Sequence, residues 1–192
     1  MNSDQSAHVD LICDAIEDAE ALFDECGMPP LSGPLTTEIV TDLKPGCMGQ
    51  YHCGKGSIEV LEPSMMAVRR NPKGAFAFLP MESYFQSIIV HELSHGLFDD
   101  ASCPFEACIV ADEYVASVMQ VMSLTPEQQA VFSLKSELDR RISRDELNSI
   151  TLFMVPNVFA QKSWAHLSQR DDPCTYIGKI LNGTILLDRE HF

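Results

Sequence analysis

The sequence predicts an α+β fold in which a small antiparallel or mixed sheet packs on a helix and precedes a mostly helical C-terminal part. Short segments rich in β-forming residues, separated by turn residues, lie between residues 36 and 63. Long segments with apolar residues at helical spacing lie on both sides of them. A chain of 192 residues that is 45% hydrophobic can bury its own core. We therefore expect one domain over residues 1–192, with an α/β part over about 1–98 and a helical part over about 99–192.

The N-terminal part is predicted to contain one long helix followed by three strands and a short helix. Apolar residues recur at helical spacing over 8–26, and Gly27 marks the end of that helix. The strands are predicted over 36–43, 49–53 and 57–63. Because they are close in sequence, antiparallel pairing is the default expectation. A short helix over about 64–70 comes next.

The C-terminal part is predicted to be helical because each apolar run begins or ends at a recognisable signal. Helices are expected over about 81–98 and 105–122. Further starts are marked by Thr125 before Pro126, by Ser143 with Glu146, and by Asp172 before Pro173. Pro156 should split the intervening apolar run into two helices. The last helix should end near Asn182.

The charge and the hydropathy of the chain each argue against one class of partner. A formal net charge of -15 disfavours nucleic acid, since phosphate binding needs clustered lysines and arginines. No run of 18 apolar residues is present, so membrane insertion is not expected. An acidic surface of this kind favours solubility. The oligomeric state is not indicated by the sequence.

Seven cysteines are present, and none of their spacings is CxxC, which makes a cysteine-based zinc site a poor expectation. Cys47 with Cys53, and Cys103 with Cys108, are spaced like local disulfides. An odd number leaves at least one thiol free or paired between chains. The first ten residues lack the features of a signal peptide, but the disulfides favour a periplasmic or secreted protein over the alternative, a cytoplasmic one.

The segment His91-Glu92-Leu93-Ser94-His95 carries the clearest chemistry. Residues four apart lie on one face of a helix, so His91 and His95 can both reach one Zn²⁺. Glu92 lies about 100° further round the helix, where a carboxylate can flank the metal and serve as a general base. The alternative is a surface helix with two solvated histidines.

A third protein ligand is normally required for catalytic zinc, and four carboxylates are open from the residues alone. Asp99 follows His95 by four residues, Glu106 and Glu113 are seven apart on the predicted second helix, and Asp112 is adjacent to Glu113. Asp99 or Asp112 could instead accept the far N–H of a ligand histidine. No histidine follows in GLFDDASCPF, which excludes the metzincin pattern.

HELSH, followed 18 residues after its second histidine by Glu113 and then by Ala116 and Ser117, resembles the gluzincin-type (peptidase MA-like) HExxH zinc metallopeptidases. The resemblance covers about residues 36–122. It implies a zincin-like fold in which His91, His95 and Glu113 bind Zn²⁺. It also implies hydrolysis of a peptide or protein substrate by metal-activated water, with Glu92 as general base.

The group that stabilises the developing oxyanion is the least determined part of the site. Candidate donors are His166, Tyr176, Tyr114 and Tyr51, and His166 is the one we predict to be catalytic. An alternative function is a non-catalytic binding or sensor protein that keeps the zincin scaffold with a structural metal or none. A helical interaction domain held by disulfides is a weaker one.

Overall fold

The computed structural model describes residues 3–136 and 139–188. In chain order its strands and helices are α1 Ser3–Glu25, β1 Thr36–Val40, β2 Gly49–His52, β3 Ser57–Leu61, α2 Pro63–Arg69, α3 Met81–His95, α4 Ile109–Met122, α5 Pro126–Lys135, α6 Ser149–Met154, α7 Pro156–Ser168 and α8 Pro173–Leu181. Short 3₁₀ turns lie at Gly96–Phe98 and Arg144–Glu146. The predicted α+β class is confirmed, with a small sheet early in the chain and helices after it.

The three strands form a mixed sheet in the order β1-β3-β2. β2 runs antiparallel to β3, with Gly49 opposite Val60, whereas β1 runs parallel to β3, with Thr36 opposite Ser57. The default expectation of antiparallel pairing throughout is therefore wrong for β1. Parallel neighbours need a connection of a dozen or more residues, and residues 41–56 supply it by placing β2 on the far side of β3.

Helix α3 lies at the centre of the molecule, where it packs against α1, α4 and β2. Its side chains Phe85, Ile89 and Leu93 are almost fully buried. Helix α4 is equally enclosed, with Val115 and Val118 wholly inside the core. Close packing of this kind leaves side chains little freedom. The two helices therefore form a rigid base for any residues that project from their shared face.

Several predicted helix boundaries are confirmed, and two are wrong. Ser143 heads only the 3₁₀ turn, since α6 begins at Ser149 after Asn148, and the second error affects a candidate ligand. Thr125 caps α5 by accepting a 3.3 Å hydrogen bond from the backbone of Gln128, and Pro156 separates α6 from α7. The helix predicted from residue 105 begins only at Ile109. A disulfide between Cys103 and Cys108 closes the preceding loop, so Glu106 is not on the helix.

The cysteine pairing is partly as predicted. The Cys103–Cys108 bond is confirmed, but the predicted Cys47–Cys53 bond is wrong, because both residues are free thiols. The strand between them spans roughly 10 Å at about 3.3 Å per residue, more than the ~7 Å between Cα atoms that a disulfide tolerates. A second disulfide joins Cys26, after α1, to Cys174 in α8, across a sequence separation of 148 residues.

Within residues 3–136 and 139–188, no helix is both long enough and apolar enough to cross a bilayer.

Candidate metal centre

Three side chains from α3 and α4 converge on one point. The rings of His91 and His95 lie one helical turn apart, with their centroids separated by 5.0 Å. Nε2 of His91 is 3.7 Å from Oε2 of Glu113 on the neighbouring helix. One ligand atom from each of the three residues lies within 4.8 Å of the others, so the group could hold a metal ion.

The donor set and its spacing fit Zn²⁺. Ligand atoms at about 2.0–2.1 Å from a tetrahedral zinc are roughly 3.3 Å from one another, close to the 3.7 Å between His91 and Glu113. Two imidazoles and one carboxylate also leave a fourth position open, as catalytic zinc sites require. Among the described residues, Asp99, Glu106 and Asp112 are not members of this group.

Asp112 fixes the orientation of one histidine. Nδ1 of His95 lies 2.6 Å from Oδ1 of Asp112, which is the hydrogen bond predicted for either Asp99 or Asp112. This contact leaves Nε2 of His95 free to face a metal. Burial alone would lower the pKa of His95, but the hydrogen bond and the charge of Asp112 outweigh it and raise the pKa to about 9.

Among the residues that the structure describes, His91 has no carboxylate partner at its Nδ1. Its Nδ1 is buried and makes no hydrogen bond to any group in the described part of the chain. Burial lowers the pKa of His91, and the neighbouring His95 lowers it further. The two imidazoles therefore differ in basicity, although both stand on the same face of α3.

Glu92 is held beside the histidines by strand β2. The side chain is buried, with 6% of the residue exposed, and its Oε2 accepts a 2.8 Å hydrogen bond from the backbone N–H of Tyr51. Burial raises the pKa of Glu92 above its ordinary value. A Cβ atom at Gly49 would lie only 2.5 Å from Cγ of Glu92, so the strand can approach this closely because residue 49 has no side chain.

Tyr51 and Asp99 connect the end of α3 to the turn that follows β2. The Tyr51 hydroxyl donates to Asp99 Oδ2 at 2.5 Å, and the backbone N–H of Gly54 points to the same carboxylate. Burial and this hydrogen bond raise the pKa of Tyr51. Asp99 therefore positions neighbouring groups and does not point at the metal-ligand triad.

The structure does not bring His166 to the triad. Nδ1 of His166 is hydrogen-bonded at 2.9 Å to the hydroxyl of Tyr114, and its ring packs edge-on against Tyr176 at 5.4 Å between centroids. Burial, with nearby arginines, lowers the pKa of His166 to about 4. The oxyanion role predicted for His166 is therefore not supported by its position, and the same holds for Tyr114 and Tyr176.

Two adjoining cavities open onto the triad, since His91 and Glu113 line both. The smaller, of about 460 Å³, is also lined by Glu92, His95, Asp112 and Tyr51. The larger, of about 670 Å³, extends towards α2 and α7, and its walls include Arg70, Phe76, Tyr84 and Phe159. Of the predicted oxyanion donors, Tyr51 alone lines either cavity among the described residues.

The residues that position Glu92 carry no recognisable signal in the sequence. The Tyr51 contact is made by a backbone amide, which leaves no trace in residue type. Gly49 reads in the sequence as an ordinary residue at a strand start. In both cases the contact with Glu92 follows from where β2 meets α3, and tertiary packing sets that position.

A model of a protein family matches residues 1–190, which is almost the whole chain, and its description is a family of unknown function, DUF6639. The chain belongs to this family. No curated protein and no solved structure matches it. For this DUF6639 chain, the observations that bear on function are the geometry of the triad and its surroundings.

Proposed function

We propose that the protein is a zinc-dependent metallopeptidase of the gluzincin type. The observation that carries the proposal is the convergence of His91, His95 and Glu113, with the Glu92 carboxylate fixed beside them. The proposal includes a zincin-like arrangement of α3, α4 and the sheet. Two disulfides support a periplasmic or secreted location, because such bonds persist in oxidising compartments.

When bound, Zn²⁺ would polarise the scissile carbonyl and lower the pKa of a coordinated water to near 7. Glu92 would take a proton from the attacking water and pass it to the departing amine. The raised pKa of Glu92, caused by burial, suits a group that must both accept and release a proton. Asp112 would hold His95 in the tautomer that presents Nε2 to the metal.

A peptide is the substrate that best fits the surroundings of the triad. β2 is an edge strand of the sheet, and an extended peptide could pair with the part of its edge that the hydrogen bond from Tyr51 to Glu92 leaves open. The two cavities on either side of His91 and Glu113 leave room for substrate groups on both sides of the scissile bond.

The proposal is tested with purified full-length protein and its Glu92→Gln variant. Glu82→Gln is a matched control, because Glu82 is an exposed carboxylate in the first turn of the same helix. Bound zinc is measured by elemental analysis, and cleavage is followed on a fluorogenic peptide library with and without a chelator. We expect E92Q to bind one equivalent of zinc and to lose about 10²–10⁴-fold in activity. We expect E82Q to behave as the wild type.

Two results would count against the proposal. Undiminished cleavage by E92Q would exclude Glu92 as the base. A wild-type protein that binds zinc through the triad but cleaves no peptide would favour the non-catalytic alternative. His91→Ala provides the complementary check, since it should lose the metal itself.

A further inference from the structure

The larger cavity beside the triad is lined by two arginines of a strongly acidic molecule. Apart from His91 and Glu113, its charged wall residues are Arg69 and Arg70, in a chain whose net charge is -15. The smaller cavity, in contrast, is lined by Glu92 and Asp112. The arginines thus lie on one side of the triad and these two carboxylates on the other, a difference that would distinguish the two ends of a bound substrate.

Arg70 is positioned in this wall without being neutralised. Its Nη1 donates a 2.8 Å hydrogen bond to the backbone carbonyl of Leu79, and its Cζ lies 5.1 Å from the centre of the Tyr84 ring. Neither partner carries a negative charge. Among the side chains that the structure describes, those of residues 8–136 and 139–188, no carboxylate comes within ion-pair distance of Arg70.

The neighbouring Arg69 is different. It forms an ion pair with Asp42 and donates a 2.8 Å hydrogen bond to the carbonyl of Leu43. Its charge is therefore compensated within the protein. The guanidinium of Arg70 is half-buried, and its charge is not compensated within the protein. Arg70 is therefore the cation of this cavity that is available to a ligand.

We propose that Arg70 binds a carboxylate of the substrate in the larger cavity, while the apolar walls receive the attached side chain. The inference rests on the proposed peptidase function and names the substrate group on one side of the scissile bond. A guanidinium suits this task because its planar fork can donate two parallel hydrogen bonds to a carboxylate. Phe76, Tyr84 and Phe159 supply the apolar surface beside it.

The carboxylate has two sources in a peptide, the C-terminus and an acidic side chain, and binding measurements separate them. Isothermal titration calorimetry compares N-acetyl-phenylalanine with N-acetyl-phenylalaninamide for the first source. N-acetyl-glutamic acid α-amide is compared with N-acetyl-glutaminamide for the second. Each pair differs in one charge, and we expect about tenfold or tighter binding of the acid in at least one pair.

Zinc can itself attract a carboxylate, so each titration is done on the metal-free and on the zinc-loaded full chain. Preference for the acid in both forms supports Arg70. Preference that vanishes on removal of zinc overturns the inference, as does equal binding of acid and amide in both pairs. These comparisons use the wild-type protein and need no variant to fold.

Variants then locate the cation. Arg70→Gln should abolish the preference, and Arg70→Lys should keep part of it. Lys55→Gln removes the same charge from an exposed turn outside the cavity and should change nothing. An R70Q protein that melts cooperatively and still prefers the acid overturns the inference. Because binding is measured without turnover, a failure to cleave peptides would remove the proposed function and leave this result readable.

Discussion

Replacing His166 by glutamine tests whether this buried histidine contributes to the stability of the fold or to catalysis at the metal centre. Its pKa is about 4 in the folded protein, against 6.5 ordinarily, because burial disfavours the imidazolium. Above pH 6.5 the imidazole is neutral in both states, so its titration contributes nothing to the pH dependence. As the pH falls from 6.5 towards 4, the unfolded state binds the proton first, and the free energy of unfolding decreases by about 1.4 kcal/mol per pH unit.

Between pH 7.5 and pH 4.5 this linkage should remove about 2.5 kcal/mol from the stability of the wild type. His166→Gln has no group to protonate there, and its side-chain amide can still hydrogen-bond to the hydroxyl of Tyr114. Its loss of stability over the same interval should be smaller by that amount. Other titrating groups, including His91 and His95, are common to both proteins and cancel in the comparison.

The measurement is urea-induced unfolding of the metal-free proteins at the two pH values, followed by circular dichroism. Zinc binding and peptide cleavage by H166Q should match the wild type at pH 7.5. Equal loss of stability in both proteins would refute the assignment of a low pKa to His166. A large loss of activity with unchanged zinc binding would instead restore the catalytic role predicted from the sequence.

Two further substitutions test how the site is supported. Asp112→Ala should weaken zinc binding by about 10–100-fold, because His95 loses the acceptor that orients its ring. Zinc affinity is measured by competition with a chromophoric chelator. Asp10→Ala, which removes an exposed carboxylate, is the control, and equal weakening of zinc binding in both variants would contradict this role of Asp112. Gly49→Ala should displace the Glu92 carboxylate and lower kcat/KM by about 10²-fold with zinc content unchanged. Gly178→Ala, where an added Cβ meets nothing within 4 Å, is its control, and an unimpaired G49A enzyme would show that the Glu92 position is not critical.

The sequence predicted the elements with local signals far better than their pairing. Prolines and capping residues predict where α5, α7 and α8 begin, because these residues act on the adjacent backbone. The parallel pairing of β1 with β3 has no such signal. It depends on the position of β2 at the far edge of the sheet, where β2 packs against α3.

In the candidate site, too, the features set by local sequence could be predicted and those set by packing could not. His91 and His95 are one turn apart on a single helix, so their proximity follows from the sequence. Glu113 was suggested by a family resemblance, and its approach to His91 is a property of how α4 packs on α3. The position of His166 could not be predicted, because residue type alone does not distinguish a histidine that faces a cleft from one buried in the core at 1% exposure.

The bond between Cys26 and Cys174 closes most of the polypeptide into a covalent ring. A single break anywhere between these residues, for example in the mostly exposed stretch 99–108, opens the ring but releases no fragment. A nicked molecule then migrates as one species in electrophoresis without reductant and separates into pieces only when thiols are added. Intactness of the purified material is therefore judged on reduced samples, above all in preparations that hydrolyse peptides.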